Sequence, residues 1–387
     1  MSVTAPLGFR AAGVVAGLKS TGAKDVALVV NDGPRHVAAG VFTSNRVVAA
    51  PVVWSRQVVA DGVAHAVVLN SGGANACTGP DGFGDTHRTA EHVAGLLGVS
   101  AGDTLVCSTG LIGVRLPMAE LLAGADAAAG ALSADGGPDA AHAIMTTDTV
   151  PKTTHVVREG WSVGGMAKGA GMLAPGLATM LCVLTTDAVV DAATADAALR
   201  AATRTTFDRV DSDGCMSTND TVVLLASGAS GVEVSGPQLT QALTAGCAEL
   251  ARGLVADAEG ASHDIAVTTV NATTEDAAVA VCRAVTRSNL FKAAVFGNDP
   301  NWGRVLSAAG TVPEDVAPFD ADELDVTING VQVCRAGGVG EARELVDLAS
   351  GREVHVEIDL HAGGARATVW TNDLTHDYVH ENSAYSS

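Results

Sequence analysis

Apolar residues along this chain gather in runs of strand length, broken by turn residues and alternating with longer stretches of helical period. Asp25–Val30 reads as a strand, Asn31-Asp32-Gly33-Pro34 as a turn and Ala38–Phe42 as the returning strand. Ala66–Asn70 runs into the small-residue turn Ser71-Gly72-Gly73-Ala74-Asn75-Ala76-Cys77-Thr78-Gly79, followed by a helix over Thr86–Leu97. Thr104–Cys107 repeats that layout, with Ser108-Thr109-Gly110-Leu111-Ile112-Gly113 as the turn. Residues 121–141 read as a helix and an exposed connection, and Ala192–Phe207 as a helix with Leu199, Thr203 and Phe207 four apart. The clearest helix follows Pro237, with Leu239, Leu243, Cys247, Leu250 and Leu254 on one face. Thr274–Val285 opens on Glu275-Asp276 at its positive end and reads as another. Toward the C-terminus the period changes to two. Leu324, Val326 and Ile328 alternate into Asn329-Gly330 and out through Val331 and Val333, a hairpin signal, and Val354, Val356, Ile358 and Leu360 alternate again before Ala367–Trp370. This alternation of elements predicts an α/β protein, with a smaller α+β domain over about residues 290–387.

One stretch stands apart. Lys168–Gly176 is a loop, interrupted by Gly169, Gly171 and Pro175-Gly176, and it feeds Leu177–Leu184, an unbroken apolar run suited to a strand buried on both faces. Thr179 is the hydroxyl at the mouth of that run. A positioned nucleophile fits there, and so does a strand that merely begins with a threonine.

Composition narrows the classes. With 387 residues the chain is long enough for two or three packed units, and its 3% aromatic content leaves a core of Ala, Val and Leu. The formal charge of −20 excludes nucleic acid and anionic membrane surfaces as partners, since both need a basic patch. Seven scattered cysteines without a Cys-x-x-Cys pair read as reduced thiols and point to the cytoplasm. The short Gly-rich run after Arg10 makes a poor signal peptide, and no apolar run reaches the roughly 20 residues of a membrane helix. No nucleotide-binding glycine loop is present. Asp213–Thr221 lacks the spacing and closing Glu of a calcium loop and reads as a polar turn. His376, His380 and Glu381 have no third ligand at metal spacing and read as surface residues.

Ala178-Thr179-Met180-Leu181 behind Lys168-Gly169-Ala170-Gly171-Met172-Leu173-Ala174-Pro175 closely resembles the self-cleavage site of the ornithine acetyltransferases, the glutamate N-acetyltransferases of arginine biosynthesis. Gly8–Gly13, Ser71–Gly79, Ser108–Gly113, Met145–Thr149, Gly297–Arg304 and Glu381–Ser387 resemble further words of that family, so the likeness spans nearly the whole chain. It implies a stacked-sheet αββα sandwich and autocatalytic cleavage between Ala178 and Thr179, giving chains 1–178 and 179–387. It also implies that Thr179 becomes the acyl-accepting nucleophile, and that Thr109 and Gly110 form the oxyanion hole. Substrate contacts are implied for Thr146, Glu259, Asn382 and Ser387, besides Thr179 itself. After Glu259-Gly260-Ala261 the chain departs from the family, with Ser262-His263 where Thr-Lys is usual.

The implied reaction moves acetyl from N-acetylornithine to Thr179 and then to glutamate, with no cofactor and with acetyl-coenzyme A left open as a second donor. Thr179 needs a base, and its freed α-amine, with a pKa of about 7.7–8.0, serves. Lys168 is the cation expected to offset the overall negative charge for a substrate α-carboxylate. The expected assembly is a pair of associated heterodimers. Two other classes stay open: an N-terminal-nucleophile amidase or aminopeptidase, and an uncut amino-acid-binding protein.

Overall fold

The structure, a computed structural model, describes residues 2–174 and 180–384. These form two compact units, Met1–Asp208 with Met216–Asp257, and Arg209–Cys215 with Ala258–Tyr385.

The first unit holds two sheets. One has the order β1 (Phe9–Val14), β2 (Val26–Asn31), β4 (Ala66–Ser71), β5 (Thr104–Thr109), antiparallel except for the β4–β5 pair. The other has the order β3 (Val37–Phe42), β9 (Thr221–Ala226), β8 (Leu181–Thr186), β7 (Trp161–Lys168), β6 (Lys152–Arg158), with β8 and β9 parallel. Alternate residues of both sheets share one buried cluster: Ala27 and Val29, Val67 and Leu69, and Leu105 from the first, Leu181 and Val183, Val223 and Leu225 from the second. The opposite side chains of the first sheet, Leu28, Val68 and Val106 among them, pack against α2 (Gly79–Leu97) and α3 (Met118–Gly130). On the second sheet α5 (Ala192–Thr205) packs against β3, and α6 (Gly236–Ala256) against β6 and β7. Strands covered on both faces carry continuous apolar runs, which is why β2, β4 and β8 read so plainly in the sequence. Helix α1 (Ala50–Val58) packs beside β5.

Two elements differ from the sequence reading. Helix α2 begins at Gly79 rather than Thr86, because Pro80 suits a first turn and Asn75 Nδ2 ties both the Gly82 carbonyl and the Thr86 hydroxyl at 2.9 Å. The expected exposed connection near 137–141 is a buried helix, α4 (Gly137–Ala143), whose Ala140 and Ala141 lie in the core. Its close approach to β1 needs glycine, since a Cβ at Gly13 would lie 2.0 Å from the Asp139 carbonyl oxygen.

The second unit is built on one sheet of order β13 (Gly338–Val339), β12 (Val331–Arg335), β11 (Asp325–Ile328), β14 (Glu353–Asp359), β10 (Asp264–Ala272), β15 (Ala365–Asn372). Helices α7 (Glu275–Thr286) and α9 (Trp302–Ala309) cover it, joined by α8 (Asn289–Phe296), and α10 (His376–Ala384) ends the described chain. Strand β10 lies between β14 and β15 and α7 packs on it, so this unit includes residues well before 290. The Asn329-Gly330 turn joins β11 to β12 with both residues at positive φ, as the hairpin signal requires. Thr274 caps α7 by accepting from the Ala277 N–H, above Glu275 and Asp276 in the first turn.

Candidate active site

The first unit brings Thr109, Gly110 and Lys168 together. Thr109 is the last residue of β5 and Lys168 the last of β7, both buried, and Lys168 Nζ donates to Thr109 Oγ1 at 3.4 Å. The Thr109 hydroxyl accepts there and keeps its own proton available to another acceptor. Gly110 follows at φ +125°, and a Cβ on it would lie 2.6 Å from the Gly73 nitrogen. Only glycine fits that turn. The Gly73 N–H donates to the Thr109 carbonyl at 3.0 Å, and Asn70 Nδ2 holds the Gly73 carbonyl at 3.0 Å. Among the described residues nothing accepts from the Gly110 N–H. The two small-residue turns after β4 and β5 therefore form one structure, presenting a hydroxyl and a backbone N–H side by side.

Lys168 is not a solvated loop lysine: it is 3% exposed and ends a strand. The network behind it comes from residues that the sequence reading did not single out. Asp148 Oδ1 accepts from Gly169 N at 2.6 Å and from Lys152 Nζ at 2.5 Å, while its Oδ2 accepts from the N–H of half-buried Thr146 at 3.0 Å. Lys152, itself 5% exposed, also donates to the Gly169 carbonyl at 3.2 Å and pairs with Asp257. Burial works to raise the Asp148 pKa, but the charges of Lys168 and Lys152 and the Gly169 N–H outweigh it and hold the carboxyl below its usual range. Half-buried Lys19 is a third lysine of this region; burial, aided by the Lys168 charge and opposed by Asp25, pushes its amine below the ordinary value.

Asn219 and Asp220 were read as part of a polar turn, and both are buried. Asn219 Nδ2 donates to the carbonyls of Ala74 at 2.6 Å and Ser108 at 2.8 Å, while Asp220 Oδ1 accepts from the Met180 N–H at 2.9 Å. An asparagine-aspartate pair flush against a buried strand was the available signal. Ala178, Thr179 and Ser387 lie outside the described residues, as does the start of the run expected from Leu177.

In the second unit Asn382 Nδ2 donates to Glu259 Oε2 at 3.0 Å, joining two of the expected substrate residues. Glu259 lines a cavity of about 170 Å³ with Asp213, Arg287, Lys292 and Tyr378. Burial, with the charges of Asp213 and Glu259, pushes the Tyr378 hydroxyl up to about 12. His263, which stands where the family usually has lysine, is pinned: its Nδ1 lies 2.7 Å from Asp373 Oδ2, and the same carboxylate accepts from the backbone N–H of His263 and Ser262 at 2.9 Å. Among the described residues no group of His, Cys, Asp and Glu could hold a metal ion, and no helix is long and apolar enough to cross a membrane.

The chain is 66% identical to the arginine biosynthesis bifunctional protein ArgJ of Streptomyces coelicolor, with all of both chains covered. It is 56% identical to the protein of the same description from Mycobacterium leprae, over all of this chain and 96% of that one. A solved structure of ornithine acetyltransferase complexed with ornithine, from Mycobacterium tuberculosis, is 57% identical over 46% of this chain and 96% of its own, with a TM-score of 0.45. The ArgJ family model matches residues 10–387, and the chain belongs to the ArgJ family.

Proposed function

We propose that this chain is an acetyltransferase of arginine biosynthesis that moves acetyl from N2-acetyl-L-ornithine to L-glutamate through an acetyl-Thr179 intermediate. Full-length identity to proteins named bifunctional in arginine biosynthesis supports this reading. The observation that carries the chemistry is the buried pairing of Thr109 with Lys168 beside Gly110.

The reaction proceeds in two halves. The chain cuts itself between Ala178 and Thr179, which frees the Thr179 α-amine to take the proton of its own hydroxyl. The hydroxyl oxygen then attacks the acetyl carbonyl, and the new oxyanion accepts from the Thr109 hydroxyl and the Gly110 N–H. The intermediate collapses, the ornithine nitrogen leaves with the proton held by the Thr179 amine, and glutamate reverses these steps to collect the acetyl group. Lys168, bonded to Thr109 and within the field of Asp148, faces the substrate carboxylate. Thr146, Glu259, Asn382 and Ser387 make the remaining contacts. Acetyl-coenzyme A can load Thr179 in the same way, which suits relatives described as bifunctional.

The two facing sheets with outer helices are read as the αββα sandwich, with the smaller α+β part C-terminal to it. Fragments 1–178 and 179–387 stay associated, because the cut lies beside β8 in the middle of a sheet, and the heterodimers pair. Cysteines held outside disulfides, with Cys77 and Cys215 exposed among them, suit the cytoplasm. The test is transfer of labelled acetyl from N-acetylornithine. Label in N-acetylglutamate, matched mole for mole by ornithine, is expected. Label released as acetate regardless of glutamate would mark an amidase instead.

A further inference from the structure

We propose that Asn219-Asp220 is a positioning pair that locks the oxyanion donors and the nucleophile to one another, Asn219 holding the turn that ends in Thr109-Gly110 and Asp220 holding the peptide bond that follows Thr179. The proposal rests on the reading of Thr179 as nucleophile and of Thr109-Gly110 as oxyanion donors.

The geometry follows from strand order. Strands β8 and β9 are parallel with Leu181 opposite Thr221, so the residues before them, Met180 and Asp220, emerge from the same sheet end side by side. The two backbones are tied there, Thr221 N to the Met180 carbonyl at 3.0 Å, and the Asp220 side chain adds the reverse bond from Met180 N at 2.9 Å. Met180 N is the nitrogen of the peptide after Thr179, three covalent bonds from the Thr179 α-nitrogen and therefore within about 3.7 Å of it in any conformation. A carboxyl oxygen fixed on the Met180 N–H therefore anchors the chain directly after the proposed nucleophile.

The preceding residue grips the other sheet. The Asn219 amide bonds the Ser108 carbonyl, one residue before Thr109, and the Ala74 carbonyl, one residue after Gly73, whose own N–H bonds Thr109. Adjacent side chains thus span both parts of the site, and sub-ångström placement of reacting groups is where enzymes gain or lose rate.

The state of Asp220 agrees with this role. It is wholly buried, none of the salt bridges among the described residues includes it, and its Oδ2 has no hydrogen-bond partner among them. Burial pushes its carboxyl well above the usual range, against the pull of the Met180 N–H, the Lys168 charge and the Ser217 hydroxyl. The shift favours the protonated form, which accepts from Met180 without adding an anion beside Lys168.

The test compares Asp220→Asn, Asp220→Ala and Asn219→Ala by intact mass for self-cleavage and by steady-state transfer for kcat and KM. Asp220→Asn keeps the acceptor and neutrality, so normal cleavage, normal kcat and an unmoved pH profile are expected. Asp220→Ala and Asn219→Ala should lower kcat by roughly 10–100-fold with KM for N-acetylornithine unchanged, and Asp220→Ala should also slow cleavage. If Asp220→Ala does not fold, Asp220→Leu, of similar shape without an acceptor, is read in its place. Wild-type kcat in the Ala or Leu variants, or an Asn variant as impaired as the Ala one, overturns the proposal. Thr179→Ala separates the two readings: if it stays active the nucleophile assignment fails, and if it is dead while Asp220→Ala is normal, only the positioning pair fails.

Discussion

Lys168 Nζ lies 3.4 Å from Thr109 Oγ1, so the last residue of β7 in one sheet reaches the last residue of β5 in the other. This fixes the polarity of the hydroxyl. A lysine ammonium donates only, so the Thr109 oxygen accepts and its proton points elsewhere. Thr109→Ala should slow acetylation of the enzyme about 10²–10³-fold, the usual cost of one oxyanion donor, with cleavage fragments still formed. Rapid-quench mass spectrometry of the acetyl adduct measures this, and an unchanged rate removes Thr109 from the oxyanion hole.

Gly110 offers an independent check on the same hole. Its φ of +125° and the 2.6 Å approach to the Gly73 nitrogen make Gly110→Ala costly in both backbone strain and displacement of the turn. Gly17 shares the strain, at φ +92°, but has open space around its missing Cβ. Each substitution should destabilise by about 1–3 kcal/mol in urea unfolding. Only Gly110→Ala should also abolish acetyl transfer in the fraction that folds.

Asp148 makes a prediction about stability and pH. Its carboxyl is held below the usual range by Lys168 and Lys152, so the folded state favours the anion. The resulting stability is present above the unfolded pKa of about 3.9 and is lost as pH falls through the lower folded value. Asp148→Asn leaves two buried lysines without their shared anion and should cost about 3 kcal/mol at pH 7. The gap from wild type should close as urea titrations are taken below about pH 4.

Asp220 predicts the opposite slope. Burial raises its carboxyl, so the folded state favours the neutral form. That contribution is complete below the unfolded pKa of about 3.9 and is lost as pH rises through the folded value. Asp220→Asn removes the titration, so its melting temperature should exceed that of wild type increasingly at alkaline pH, with the two converging in acid. Parallel melting curves from pH 5 to 9 test it, and identical pH dependence would contradict it.

What the sequence disclosed and what it hid divide by the range of the interactions. The central strand β8, the Asn329-Gly330 hairpin and the apolar face of α6 follow from local spacing and were legible. Helix α4 was not, because Ala140 and Ala141 mark a buried helix only once β1 with its Gly13 is beside them. The site shows the same division. Thr109, Gly110 and Lys168 were singled out because they sit within recognisable words, and the structure brings them together. Asp148 and Lys152 were missed even at four residues' spacing, since their pairing acquires meaning only through burial and through Gly169 and Asp257. Asn219 and Asp220 were missed because the parallel register of β8 and β9, and the approach of the Ser108 turn, are tertiary facts. His263 shows the same dependence on distant residues. The sequence marks it only as a departure from the family's word, and its partner Asp373 lies far along the chain.

The most direct measurement is intact mass of the purified chain and of Thr179→Ala, each with and without N-acetylornithine. Wild type should give two fragments, 1–178 and 179–387, with one acetyl group added to the second on exposure to donor, while Thr179→Ala should remain a single chain that takes up no acetyl. A fully active wild-type enzyme with the Ala178–Thr179 bond intact, or transfer surviving in Thr179→Ala, would contradict the proposed chemistry.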